Sequence, residues 1–325
     1  MMPSLFPGDA MPIFAVNTLM HIPDGFLSLF ISIICWLITL TVLGVALRRT
    51  THSFDERLAP LAGIMAAFIF AAQMINFPVT FGTSGHLIGA TLAYIVLGPW
   101  LGMLAMTAVI AAQGFFFQDG GLVVMGANIL CMGIIPGVIG YGIYQLGRGR
   151  ARGTQLVAAG IGSWVSIMIA AFVVALLLGA SGTTSLSLAV PAMLGIHALI
   201  GIGEALITVA ALSYVMQTRP GLLQSGAETG QKRWILAGAV ATLIVVLLSP
   251  LASAAPDGLE WVAGQIGFLD TAQNAPFQVL PDYTLPFLGE THVSTILAGM
   301  IGAVVVVAGI MFLLFRLLRR PHQAN

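Results

Sequence analysis

Residues 20–47 read MHIPDGFLSLFISIICWLITLTVLGVAL. From Ser28 to Leu47 the run is apolar except for scattered hydroxyls, and about 20 such residues wound as a helix cross a hydrocarbon core about 30 Å thick. The pattern recurs near 60–77, 84–98, 99–117, 122–147, 155–179, 189–216, 234–255 and 293–315. The expected fold class is therefore an all-α polytopic membrane protein of about nine transmembrane helices, seven in a first unit and two in an accessory unit. Composition agrees. Hydrophobic residues make up 58% of the 325 and charged ones 7%, against roughly a quarter charged in soluble domains. The spans 84–98 and 99–117 meet at Gly98-Pro99-Trp100, so they either cross separately or form a re-entrant hairpin, and both cases leave the later topology the same.

Charge distribution sets orientation. The basic residues are Arg48, Arg49, Arg57, Arg148, Arg150, Arg152, Arg219, Lys232, Arg233, Arg316, Arg319 and Arg320. With nine spans they all fall on one side, and the positive-inside bias makes that side the cytoplasm. The N-terminus is then outside, the C-terminus cytoplasmic, and the expected location is a bacterial cytoplasmic (inner) membrane. The long outer stretch 256–292 carries five acids and no basic residue, which reads as a solvated loop or as a weak attractor of cations. The formal net charge is zero, so no field recruits nucleic acid. Cys35 and Cys131 lie inside apolar runs and read as small core fillers.

Residues 1–19 contain no Lys or Arg and so lack the basic region of a secretory signal. They read as an extension or, as we prefer, an over-called start ahead of Met20. The preference is chemical. A free amine on Met20, the main-chain nitrogen of His21 and its Nδ1 close fused chelate rings on one metal ion, and the imidazole of His86 supplies a fourth nitrogen. Four nitrogens in a plane suit Ni(II) or Cu(II), and altered geometry admits Co(II). The alternative is that His21 is an interfacial residue capping a helix together with Asp24. His86 follows Gly85 and precedes Gly89, a small-residue face that admits close backbone approach.

The stretches Met20–Ser28, Gly82-Thr83-Ser84-Gly85-His86-Leu87, Leu97–Trp100, Asp119–Leu122, Gly126–Leu130 and His197–Glu204 together resemble the CbiM/NikM family, the substrate-capture components of cobalt and nickel transporters of the energy-coupling factor type. The resemblance implies metal binding by Met20, His21 and His86. It also implies partnership with a transmembrane coupling component and two cytoplasmic ATPase subunits, with cobalt(2+) or nickel(2+) as cargo and no cofactor. The departure from the family pattern is the extension 1–19, which puts the amine ligand in doubt. Pro256-Asp257-Gly258-Leu259-Glu260-Trp261 and Pro281-Asp282-Tyr283 resemble the PDGLE domain, an accessory piece of the same transporters. The expected organisation is an extension 1–19, a capture unit 20–220, a cytoplasmic linker 221–233 and an accessory unit 234–325.

Other polar residues carry two readings. Glu204 lies mid-span with His197 seven residues earlier, on the same helical face. A carboxylate at that depth costs roughly 2.5–3.5 kcal/mol on insertion scales, so it is protonated, paired or in a polar cavity. Ser84, Asp24, Asn76 and Asn128, with Gln73 and Gln113, either bond between helices or support the site and its pathway. No P-loop motif occurs, and there is no midplane carboxylate array of the kind that couples ions in secondary carriers. An intramembrane metalloenzyme would need an H-E-x-x-H helix, which is absent, so the chain reads as a transport component rather than an enzyme. The remaining alternative is a passive or proton-coupled divalent metal channel or carrier, with His197 and Glu204 along its path.

Overall fold

The computed structural model describes residues 21–53, 58–218 and 231–318. Met20 and the rest of 1–20, Arg57, Arg219, the linker residues 221–230, Arg319, Arg320 and His322 lie outside the described residues. Eleven α-helices dominate what is described. Those of the first unit are α1 (Leu29–Ser53), α2 (Ala59–Gln73), α3 (Ala90–Leu97), α4 (Pro99–Ala112), α5 (Met125–Asn128), α6 (Ile135–Gly147), α7 (Arg152–Ala180) and α8 (Leu186–Thr218). The accessory unit adds α9 (Gln231–Leu248), α10 (Gly258–Ile266) and α11 (His292–Leu318). Two residue pairs, Phe77–Pro78 and Ser84–Gly85, form a minimal antiparallel ladder, β1 and β2.

Among the described residues, six helical segments are long and apolar enough to cross a membrane: Leu29–Thr51, Pro99–Phe117, Met125–Gly147, Arg152–Ala180, Leu186–Thr218 and His292–Arg316. Two shorter apolar helices, Ala59–Gln73 and Ile235–Leu251, accompany them. The span expected at 84–98 differs. Only α3 is helical there, and its eight residues rise about 12 Å, too little to cross alone. Residues 84–89 remain unwound, and Gly89 has φ +76°, so the small-residue spacing at Gly85 and Gly89 does not form a helix face. Unwound backbone at membrane depth survives only where protein satisfies its polar groups. Here the carboxylate of Glu204 accepts from the N–H groups of Ile88 (2.7 Å) and Gly89 (2.9 Å), and the Gln73 amide donates to the Ile88 carbonyl (2.8 Å). Every residue of α3 is buried.

α7 packs against both α6 and α8, while α2 packs against α4 and the accessory helices α9 and α11. The acidic stretch 256–292 is only partly the solvated loop that its composition suggests: Asp257 and Glu260 are buried, whereas Asp270 and Glu290 are exposed. Leu259, Val262, Ala263 and Phe268 are buried, and Phe268 sets its ring edge on Phe26 at 5.0 Å. Main-chain bonds stitch it to the first unit, with Ser84 N–H donating to Pro256 and Gln273 N–H to Asp24. Apolar residues at helical spacing bury one face of α10, and Asp257 and Glu260 are buried with it.

Candidate metal centre

The residues after Met20 run as an extended strap held at its main chain. Asn128 clamps Ile22 from both sides: its oxygen accepts from Ile22 N–H (2.9 Å) and its amide donates to the Ile22 carbonyl (3.0 Å). Gly121 N–H donates to the same carbonyl at 2.9 Å. Asp24 does not cap a helix following His21. It accepts instead from the N–H groups of Leu122, Val123 and Val124 at 3.0–3.1 Å, directly ahead of α5, where a carboxylate meets the unpaired amides and positive end of a helix. Gly120, with φ +98°, lies so close that a Cβ there would sit 2.8 Å from the His21 Cβ. A π-helical turn, Gln113–Phe117, precedes this loop, and another, Ile129–Ile134, follows α5. Such turns occur often where a helix is adjusted for function.

The strap and the unwound segment meet. His21 and His86 are buried, their ring centroids are 6.1 Å apart and their planes are inclined by 25°. With metal–nitrogen bonds of about 2 Å, two imidazoles on one cation have centroids no more than roughly 6–7 Å apart, so this separation permits a shared ion. His86 is held by the Glu204 and Gln73 bonds on one side and by Ser84, whose hydroxyl donates to Ala255 at 2.7 Å, on the other. Its Nδ1 faces the Leu87 carbonyl at 3.2 Å, and its Nε2 lies 3.9 Å from Asp257 Oδ2. The Nδ1 of His21, expected to be a chelating atom, instead pairs with Asp119 Oδ1 at 2.7 Å. The Nε2 of His21 is buried with no hydrogen-bond partner.

Asp119 is the acid that sequence reading missed as a site residue, although its Asp-Gly-Gly motif was visible. Burial pushes its carboxyl up, and the His21 ring, the Tyr283 hydroxyl and the His86 ring more than offset that, so it sits below its ordinary range. Asp257 is raised, chiefly by burial and against the pull of His86. No signal in the sequence tied Asp257 or Tyr283 to the histidines, because both come from the accessory unit. Among the described residues no group of three His, Cys, Asp or Glu could by itself hold a metal ion. The two rings therefore need a donor of another kind.

The other sequence-derived candidates divide. Asp24, Asn128, Ser84 and Glu204 all position the two histidine-bearing segments through main-chain contacts. His197 is drawn aside: its Nδ1 bonds to the Met193 carbonyl at 2.8 Å, and its ring packs against Gly258. Asn76 accepts from Ser253 N–H through its main chain, a tie between units. Glu204→Gln keeps only one acceptor oxygen and turns an amide toward an N–H group. The expected cost falls on stability, about 1.5–3 kcal/mol, with metal affinity largely intact, as thermal unfolding and calorimetry on the same sample would show.

Glu260 gives a pH prediction. Burial, then the nearby Asp257, push its carboxyl up to about 8. A carboxyl raised in the folded state loses stability as pH rises from its ordinary range through that value. Glu260→Gln should therefore melt with the wild type at pH 5 and several degrees above it at pH 9.

A family model described as "Cobalt uptake substrate-specific transmembrane region" (CbiM) matches residues 21–222. The chain belongs to the CbiM family. A PDGLE domain follows at 231–320. A "Putative fused nickel transport protein NikMN" of Archaeoglobus fulgidus is 37% identical over 302 residues, 89% of this chain and 96% of that protein. The "Fused nickel transport protein NikMN" of Rhodobacter capsulatus is 29% identical, covering 90% and 96%. The "Cobalt transport protein CbiM" of Sorangium cellulosum is 32% identical and covers 63% of this chain and 94% of its own length. A solved structure, "Crystal Structure of an Truncated Transition metal Transporter", is 35% identical with a TM-score of 0.55, covering 61% of this chain and 99% of that one. In these terms the CbiM region brings His21, His86 and Asp119 together, and the PDGLE domain lays Asp257 and Tyr283 against them.

Proposed function

We propose that this chain captures Ni(II) or Co(II) from outside the cell as the membrane substrate-binding component of an ATP-driven transporter of the energy-coupling factor type. The observation that carries the reading is the convergence of the His21 and His86 rings, from distant parts of the sequence, in one buried cluster beside Asp119. Two imidazoles with a neighbouring carboxylate in a dry site suit a borderline divalent cation. The missing donors are the main-chain nitrogen of His21, which ligates after releasing its amide proton, and, when the chain begins at Met20, its terminal amine. A cation taking Nδ1 of His21 closes the fused chelate and displaces Asp119 from that atom; one taking Nε2 leaves the pair in place. In both cases the Asp119 charge lies next to the ion. Relatives named for nickel and for cobalt transport support the class of cargo.

Energy comes from partners in this reading, since the chain has no P-loop. The family resemblance supplies a transmembrane coupling component and a pair of cytoplasmic ATPases. The positive-inside reading of the basic residues supports an outward-facing site in this proposal. The channel or carrier reading loses its main support, because Glu204 is occupied by backbone amides and His197 by a carbonyl. Calorimetry on the purified chain tests the proposal: tight binding of one Ni(II) or Co(II) supports capture, whereas conduction in liposomes without tight binding overturns it.

A further inference from the structure

Tyr283 belongs to the PDGLE domain, yet its hydroxyl ends inside the pocket of the CbiM region. It donates to Asp119 Oδ2 at 2.6 Å while Asp119 Oδ1 pairs with His21 Nδ1 at 2.7 Å. The Gln113 amide in turn donates to the Tyr283 oxygen at 3.1 Å. Both carboxylate oxygens of Asp119 are thus engaged, one by the histidine and one by the accessory domain. The tyrosine ring is itself immobilised, stacked on Phe117 with centroids 4.7 Å apart and tilted against Phe70 at 6.0 Å.

The backbone that delivers this ring is unusual. Asp282 and Tyr283 have φ +50° and +55°, consecutive left-handed positions in residues that carry a Cβ, which crowds the following carbonyl there. Such outliers persist only where surrounding contacts over-determine them, and they cluster at functional sites. The contacts are present: Leu280 N–H donates to the Phe116 carbonyl at 2.9 Å before the turn, and Leu285 N–H donates to the Ser294 hydroxyl at 2.7 Å after it. The sequence thus adopts an unfavourable turn whose outcome is one phenol placed on one carboxylate.

We propose that Tyr283 is a positioning residue for metal capture: by holding Asp119 it fixes the carboxylate against His21, so the PDGLE domain completes the site of the CbiM region. This rests on the capture reading above with the cation on Nε2 of His21, the mode that leaves the Asp119 pair in place. Outer partners of metal-binding histidines fix ring orientation and raise ligand basicity, and losing one typically costs about 10–100-fold in metal affinity.

The test is a double-mutant cycle read by Ni(II) and Co(II) calorimetry on the full chain. Tyr283→Phe keeps the ring stack and removes only the hydroxyl, and its unfolding temperature checks that the fold is retained. Affinity is expected to fall roughly 10–100-fold in Tyr283→Phe, to fall similarly in Asp119→Asn, and to fall no further in the double variant. Unchanged affinity in Tyr283→Phe overturns the proposal. So does an equal further loss when Tyr283→Phe is added to Asp119→Asn, because the tyrosine would then act without the carboxylate. Wild-type protein that binds neither ion overturns the capture reading and this inference with it, an outcome distinct from the other two.

Discussion

Ni(II) and Co(II) binding by the purified chain is expected to disappear in His86→Ala and in His21→Ala, with losses beyond the roughly 10–100-fold that removal of an outer partner costs. His86→Ala is the cleaner experiment. Its segment is held by Glu204, Gln73 and the Ser84 hydroxyl, none of which involves the imidazole, so the loop should keep its path with the ring gone. The ring also faces the buried Asp257 carboxyl, so loss of binding with no more than a modest drop in melting temperature then reports a ligand. His21→Ala also leaves the buried Asp119 carboxylate with one fewer counterpart, and an uncompensated buried charge is costly. A drop in stability should therefore accompany its loss of binding, and adding Asp119→Asn should recover the stability without recovering the metal. Retained affinity in His86→Ala would remove the pocket from the mechanism.

The second large effect concerns Met20. A chain made to begin at Met20 should bind Ni(II) at least about 100-fold more tightly than the 325-residue chain, if the fused chelate is the binding mode. An amine offers a lone pair, whereas the amide nitrogen that replaces it inside a longer chain has its lone pair delocalised. The chelate also makes a pH prediction. The amine must shed its proton to bind, and its ordinary pKa is about 7.7–8.0. Affinity of the shorter chain should therefore climb as pH rises toward roughly 8, with protons released on binding. Acetylating its terminus should abolish both the gain and the pH dependence. Equal affinity with and without a free amine would show that the cation uses the side chains alone, which favours Nε2 of His21, the ring atom left without a hydrogen-bond partner.

Much of this site was legible in the linear pattern. Met20–Asp24 and Gly85-His86 marked the two histidines, and Glu204 announced itself as a buried acid in an apolar helix. Its task was not legible. Whether a carboxylate meets a cation, a proton path or two amides depends on which segment faces it, and here the unwound residues 88–89 do. The 84–98 span misled for a related reason. Its apolar content is that of a membrane helix, yet the local cost of unwinding is met by groups on α2 and α8, which no local window contains. The start of the acidic stretch 256–292 misled in the opposite sense, since its charge suggested exposure while the apolar positions of α10 buried Asp257 and Glu260.

Run length and hydropathy determined the class by themselves, because the thickness of a bilayer acts on each segment independently and a helix satisfies its own backbone. Residue type narrowed the candidate chemistry, since imidazole nitrogens are donors that divalent transition metals accept. Tertiary structure decided which groups meet: His21 with His86, Asp119 with His21, Tyr283 with Asp119, and Asp257 with His86. Those contacts join residues far apart in the chain and across two domains, and their geometry exists only once the packing of α2, α4, α8, α10 and α11 has placed the loops between them.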